Sequence, residues 1–289
     1  MICTFADTDP TALAARFTRP SFEMISSFAD SRNLISEMFG EKKLFDSKGL
    51  RVGEVFDQAW NRLKHSYRNE YVYKTELANR IVFGRHSPNT AALHVELPVS
   101  GSIADMAIYN GTSTAYEIKT DFDSAFRLRS QSESYLKAFE KVYVVVSDSS
   151  VKKYLSYIPD EVGMLSLSKR GSLREVKPVC SDVSRLKHEV MFRCLRRSEQ
   201  VSIAEKVIGE KIELPNGLIY EACFRAFSLL DVESAHRLYV EQMRKRKTDK
   251  KTQLFISRLP YSLKALGYAT PLSEKKRTNI LNVLDQMLV

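Results

Sequence analysis

Cysteine is scarce and scattered in this chain. Cys3, Cys180, Cys194 and Cys223 include no C-x-x-C pair, and the five histidines are as dispersed. A structural zinc site needs thiolates and imidazoles at short, fixed spacings, and a disulfide framework needs many cysteines in a small secreted chain. Neither is indicated, so the chain reads as a reduced, cytoplasmic protein. Nothing approaches the run of about 20 apolar residues that a membrane-spanning helix requires, so no membrane partner is expected. The opening MICTFADTDPTALAARF carries acids at Asp7 and Asp9 and lacks the basic-then-apolar order of a secretory signal. There is no internal repeat and no low-complexity tract.

What is present supports a substantial core. The chain has 289 residues, enough for one large domain or a core with an appendage, and 44% of them are hydrophobic. Its net charge of +9 is unevenly placed, because residues 170–289 hold 23 Lys/Arg against 14 Asp/Glu. A basic excess favours a polyanionic partner through phosphate contacts and counterion release. Its densest run is Arg244, Lys245, Arg246 and Lys247, continued by Lys250 and Lys251. That run closes a helix, where cations also complement the dipole. Both readings stand at this stage.

Periodicity predicts helices over Thr11–Phe17, Phe22–Phe39, Val52–Tyr67 and Asn69–Phe83, then strands over Ala91–Val99, Ile103–Tyr109 and Thr114–Thr120. Helical spacing resumes with Phe126, Leu128, Tyr135, Leu136 and Phe139 as apolar positions. Lys141–Ser147 (KVYVVVS) is nearly continuous in β-branched residues, as in a strand buried on both faces. A short helix at Val151–Tyr157 and a hairpin of Gly163–Ser168 with Leu173–Val176 follow. Beyond Ser181 only helices are expected: Val183–Arg197, Val201–Ile208, Ile219–Phe227, Val232–Lys247 and Asn279–Val289. The fold class is therefore α/β, a mixed sheet flanked by helices. Three segments are expected: N-terminal helices over 1–68, a core over 69–180 and a basic helical region over 181–289.

The chemistry concentrates between Ile103 and Tyr135. Asp105 lies on one strand, and Glu117 and Lys119, two residues apart and so on one face, lie on the next. Two carboxylates on adjacent strands suit Mg2+, a hard cation that takes oxygen ligands and keeps several waters. A lysine beside them can orient an attacking water and offset developing negative charge. Strand parity sets a condition. A two-residue turn at Asn110-Gly111 would put Asp105 opposite Tyr116, with the two carboxylates on opposite faces. A site therefore requires a three-residue loop, or a bulge that re-aims one side chain.

Asp105, eleven residues, Glu117-Ile118-Lys119 and then a helix with Gln131-x-x-x-Tyr135 together resemble the PD-(D/E)XK, or restriction-endonuclease-like, nucleases. The last element is similar to the Q-x-x-x-Y motif of the RecB-like branch. The resemblance extends to a group of small, mostly uncharacterised bacterial and phage proteins with a YEIK strand and a VYVVV strand. Ala104 stands where the family name has proline, which the metal chemistry does not need. The resemblance implies a restriction-endonuclease-like core of helix, three strands, helix and strand. It implies a Mg2+-dependent phosphodiesterase, with Mn2+ able to substitute, acting on nucleic acid and most readily DNA. Asp105, Glu117 and the backbone carbonyl of Ile118 would hold the metal, and Lys119 would position the water, so that Lys119→Ala should spare metal binding but not cleavage. Gln131, Tyr135, Arg127 and Arg129 would meet the substrate. A further acid is expected from a helix ahead of the sheet, Glu76, or alternatively from Glu96. Phage, mobile-element and defence settings all fit. So does a nuclease-like fold used only for binding nucleic acid or protein, or an interference protein acting through its helical region. On charge, removing residues 181–289 is expected to weaken nucleic-acid binding and flatten its salt dependence.

Overall fold

The computed structural model describes residues 5–86, 90–246 and 249–289. It is an α/β protein that divides into two compact units: the chain up to Arg85 together with Lys250–Val289, and His86–Asp249. This division differs from the three segments expected from the sequence. The N-terminal helices close on the last residues of the chain: Val52 donates its amide to Gln286 O at 3.0 Å and Leu288 donates to Leu50 O at 2.9 Å. An isolated antiparallel bridge joins Arg51 to Met287. Contacts so distant in sequence leave no local pattern to read.

The first unit is helical. Val52–Ser66 buries Val52, Val55, Phe56, Ala59, Trp60 and Leu63, the stripe that its 3.6-residue period marks out. Glu70–Leu77 is capped by the Asn69 side chain, which accepts from the Val72 amide. It runs on as a wider π-helical stretch, Ala78–Arg85. Three further helices, Glu41–Asp46, Lys250–Arg258 and Lys264–Ala269, are short and lacked a clear apolar period in the sequence.

The second unit is built on a six-stranded sheet in sequential order: β1 (Ala92–Val99), β2 (Ser102–Tyr109), β3 (Ser113–Ile118), β4 (Lys141–Ser147), β5 (Gly163–Leu167) and β6 (Leu173–Lys177). The first three strands form an antiparallel meander. The crossover through the helix Leu128–Tyr135 then makes β4 parallel to β3, and β5 is parallel to β4. The VYVVV strand thus lies between two parallel neighbours, the environment in which continuous β-branched residues are buried on both sides. The helices His188–Cys194 and Val232–Lys245 pack on β1. Their Phe192, Tyr239 and Met243 share one core with Tyr109, Val142 and Val144 of the sheet, and with Tyr135 and Phe139. The helices of residues 188–245 are therefore part of the sheet's own unit. Truncation at residue 181 would strip helices from both units, so it cannot serve as a test of charge.

Inside this sheet Gly163 is required by space. A Cβ there would lie 2.6 Å from Tyr143 Cε1 and 2.9 Å from Val179 Cβ. The Tyr143 ring cannot swing aside, being stacked on Tyr116 at 5.8 Å and donating its hydroxyl to Glu175 Oε1 at 2.8 Å. Gly163→Ala is expected to cost about 1–3 kcal/mol as an overpacking substitution, read as a lowered denaturant midpoint at unchanged slope. An unchanged midpoint would show that the ring does yield.

Candidate active site

The β2–β3 hairpin meets the condition that strand parity sets. Tyr109 pairs with Ser113, Ile108 with Thr114, Ala107 with Ala115 and Met106 with Tyr116. The connection is accordingly the three-residue loop Asn110-Gly111-Thr112. The Asn110 amide donates to Thr112 O at 3.1 Å, and Gly111 takes φ +106, which a Cβ would disfavour. One step past the last pair, this register sets Asp105 against Glu117. There the side chain of Asp105 enters the ladder: its Oδ2 accepts the Ile118 amide at 2.6 Å. The Lys119 amide faces the other way and donates to Val145 O of β4 at 2.9 Å. The backbone of Ile118 is thereby turned toward β2 and Asp105, which is where its carbonyl would have to be to serve as a ligand.

The other residues of the motif converge on the Glu117 carboxylate. Lys119 Nζ donates to Glu117 Oε1 at 2.7 Å and to Gln131 Oε1 at 3.1 Å. The Tyr135 hydroxyl lies 2.9 Å from Glu117 Oε2 and 2.7 Å from Ile103 O, so its one proton is shared between two acceptors. Gln131 and Tyr135 are one turn apart on Leu128–Tyr135, which packs on β2 and brings both to the same end of the sheet. Burial, then the Glu117 charge, pushes the Tyr135 phenol far above its ordinary range, so the group is a permanent proton donor here. The nearby Asp105 charge acts in the same direction. Glu117 is only 2% exposed and Asp105 is half-buried. A buried carboxylate is tolerated because Lys119 and Tyr135 compensate it.

Glu76 takes a different place. It belongs to the first unit, is fully buried, and is paired with Lys64 at 2.7 Å and with Arg80 at 2.8 Å. Two cations there neutralise the charge, which gives Glu76 a structural role of its own. Glu96 lies in the second unit, on β1. The β1–β2 ladder passes from Val95–Met106 to Leu97–Ala104, so Glu96 falls opposite Asp105. It is exposed and holds φ +56, a left-handed conformation rare for a non-glycine residue and typical of strained, functional positions. Glu96, Asp105 and Glu117 thus occupy one row across β1, β2 and β3. No group of three or more His, Cys, Asp or Glu side chains stands at metal-holding spacing among the described residues. Mg2+ is commonly bound through one or two carboxylates with the rest water, and the Asp105–Glu117 pair with the Ile118 carbonyl suits that chemistry.

The described members of the basic run differ in their surroundings. Arg246 is buried against Glu199, donating from Nε to Oε1 at 2.6 Å and from its terminal nitrogen to Cys194 O at 2.9 Å. Lys245 is exposed and paired with Glu241 at 2.8 Å. Lys251 is paired with Glu274 at 2.9 Å, and with Lys250 it belongs to the first unit, whereas Arg244 to Arg246 belong to the second. Lys247 lies outside the described residues. Of these cations, Arg246 is tied into the second unit by Glu199, and Lys245 and Lys251 are exposed with carboxylate partners. Arg127 and Arg129 are exposed at the start of the helix beside the site, with Arg129 paired to Glu133 at 3.2 Å. Phe126 corrects another expectation. It belonged to the predicted apolar set but is 91% exposed, because the helix begins only at Leu128.

Residues 63–261, more than half of the chain, match the model of the bacteriophage P4 protein cII family. The chain belongs to that family. Over 98 residues it is 34% identical to protein cII of Enterobacteria phage P4, an alignment that covers 33% of this chain. The chain spans only 37% of that relative's length in the match. No solved structure matches. The family match runs through the whole sheet and so includes Asp105, Glu117, Lys119, Gln131 and Tyr135. No helix among the described residues is long and apolar enough to cross a membrane.

Proposed function

We propose that this chain is a metal-dependent nuclease of the PD-(D/E)XK type that hydrolyses phosphodiester bonds, with DNA as its first substrate to test. The observation that carries the reading is the convergence on one carboxylate. Lys119, Gln131 and Tyr135 meet at Glu117, and the three-residue loop sets Asp105 across from it. Cross-strand charge pairing in a bland hairpin does not call for a buried Glu–Lys–Tyr set, with a half-buried Gln131, at the end of a ladder. Asp105, Glu117 and the Ile118 carbonyl would hold Mg2+ or Mn2+, and Glu96 is the third acid to examine. The ion would lower the pKa of a water and stabilise charge on the attacked phosphate.

The protein's own part follows from the contacts. Tyr135 fixes one oxygen of Glu117 and Lys119 the other. Lys119 is in turn fixed by Gln131, so its ammonium is aimed rather than mobile. With two of its three protons used in this way, the third can orient a water or offset charge on a non-bridging phosphate oxygen. Lys119→Ala is expected to lower cleavage about a hundredfold or more while Mn2+ affinity, measured by calorimetry, changes little. Equal loss of both would make Lys119 part of the ion's own site.

One observation favours a second reading, a nuclease-like fold that binds without cutting. Both oxygens of Glu117 are already engaged by Lys119 and Tyr135, so an ion would have to share them. Incubation of plasmid, single-stranded DNA and RNA with Mg2+ or Mn2+, against an EDTA control, separates the readings. Metal-dependent cleavage supports the first, and metal-independent binding without cleavage supports the second.

A further inference from the structure

We infer that the loop between β3 and the following helix is a stacking platform for an unpaired strand of nucleic acid, with Phe122 and Phe126 against the bases and Arg127 and Arg129 toward the phosphates. The inference rests on the nuclease reading for its purpose, but its surface stands on separate observations. Phe122 is 70% exposed and Phe126 is 91% exposed, four residues apart. Two phenylalanines four residues apart in one loop thus present most of their apolar surface to solvent.

The loop that carries them is pinned. Asp123 Oδ2 accepts both the amide and the hydroxyl of Thr120 at 2.7 Å. The Tyr154 hydroxyl lies 2.7 Å from Asp123 O, and Lys153 Nζ donates to the same carbonyl at 2.8 Å. The Phe126 amide donates to Ser124 Oγ at 3.2 Å, and Leu128 just beyond is fully buried. Rings held outward on a fixed frame lose little freedom when a partner stacks on them, which is what preorganisation means for affinity.

Cations stand among the rings. The loop's two acids are drawn toward the protein's own hydroxyls: Asp121 Oδ1 accepts from Ser150 Oγ at 2.6 Å and from Ser147 Oγ, and Asp123 is held by Thr120. Arg127 is exposed, Arg129 is exposed beside its partner Glu133, and Lys152 and Lys153 lie on the helix Val151–Leu155 whose Tyr154 anchors the loop. Aromatic faces interleaved with cations are the means by which proteins hold single strands without reading sequence, since every base has a π-face. A duplex hides those faces. The loop also begins at Thr120, immediately after Lys119, so a base stacked there brings its backbone toward the carboxylates.

The test is fluorescence anisotropy in EDTA, so that no cleavage intrudes, using labelled oligothymidylate, labelled oligouridylate and a duplex of the same length. Phe122→Ala with Phe126→Ala is expected to weaken binding of an unpaired strand at least about tenfold and to leave duplex binding within about twofold. Phe122→Trp with Phe126→Trp should restore it, which a general loss of structure would not allow. Unchanged affinity for both unpaired strands overturns the inference. So does a wild-type dimer that the alanine variant makes monomeric while strand binding persists, since the patch would then meet a second copy. Glu117-dependent cleavage by an alanine variant with unaltered strand binding would sink the platform and keep the nuclease. Lost strand binding in a protein that never cleaves would do the reverse.

Discussion

Glu117→Gln is expected to abolish metal-dependent cleavage, by about a thousandfold, the upper range for removing one preorganised charged group from a reacting centre. Gln is the informative replacement because Glu117 is buried and doubly bonded. Its amide oxygen can still accept from Tyr135 or Lys119, and the volume is unchanged. Glu117→Ala would instead leave Lys119, whose side chain is only 10% exposed, as a buried cation with Gln131 alone. Breaking a buried pair from one side costs about 3–5 kcal/mol, so loss of activity in the alanine variant would mix chemistry with unfolding. The measurement is the rate of cleavage of a labelled single strand and of plasmid in Mg2+, beside a melting curve for each variant. A folded Glu117→Gln protein that cuts within about tenfold of the wild type would remove Glu117 from the reaction.

Much of this site was legible because it obeys local rules. Alternation placed Asp105 and Glu117 on strands, with Lys119 one residue past the end of β3, and helical spacing put Gln131 beside Tyr135. Parity then required, for a shared site, a three-residue loop or a bulge in place of the two-residue turn that Asn110-Gly111 suggests, and the observed loop has three residues. The VYVVV strand was readable for the same reason, since continuous β-branched burial belongs to a strand with parallel neighbours on each side. What escaped the sequence depends on which of several partners a residue takes. The spacing of Glu76 and Arg80 suits a salt bridge, and Lys64 on the neighbouring helix supplies a second cation that this spacing does not show. Phe126 fits a helical stripe, but its amide is taken by Ser124 Oγ and the helix starts later. The two-unit division rests on the ends of the chain meeting, which no window of residues reports.

Arg246→Ala is expected to destabilise the second unit by about 3–5 kcal/mol, although the residue sits in the most basic run of the sequence. Its side chain is 8% exposed and that of Glu199 is 12%, so the pair is shielded from salt and from competing water. The guanidinium makes a fork to Glu199 and also donates to Cys194 O, tying the end of Val232–Lys245 to the helices His188–Cys194 and Arg197–Ile208. Its removal leaves Glu199 buried with an unpaired charge and Cys194 O without this donor, the costly way to break such a pair. Near it lie Tyr109 and Tyr239, whose hydroxyls are 2.6 Å apart and whose phenols burial pushes far up. Lys245→Ala, one residue away and exposed beside Glu241, should change stability by less than about 1 kcal/mol. Melting curves distinguish the two: a loss on the order of 10 °C for Arg246→Ala against little for Lys245→Ala. If the positions instead behave alike in stability, and Arg246→Ala flattens the salt dependence of nucleic-acid binding, the arginine is a phosphate ligand and not a strut.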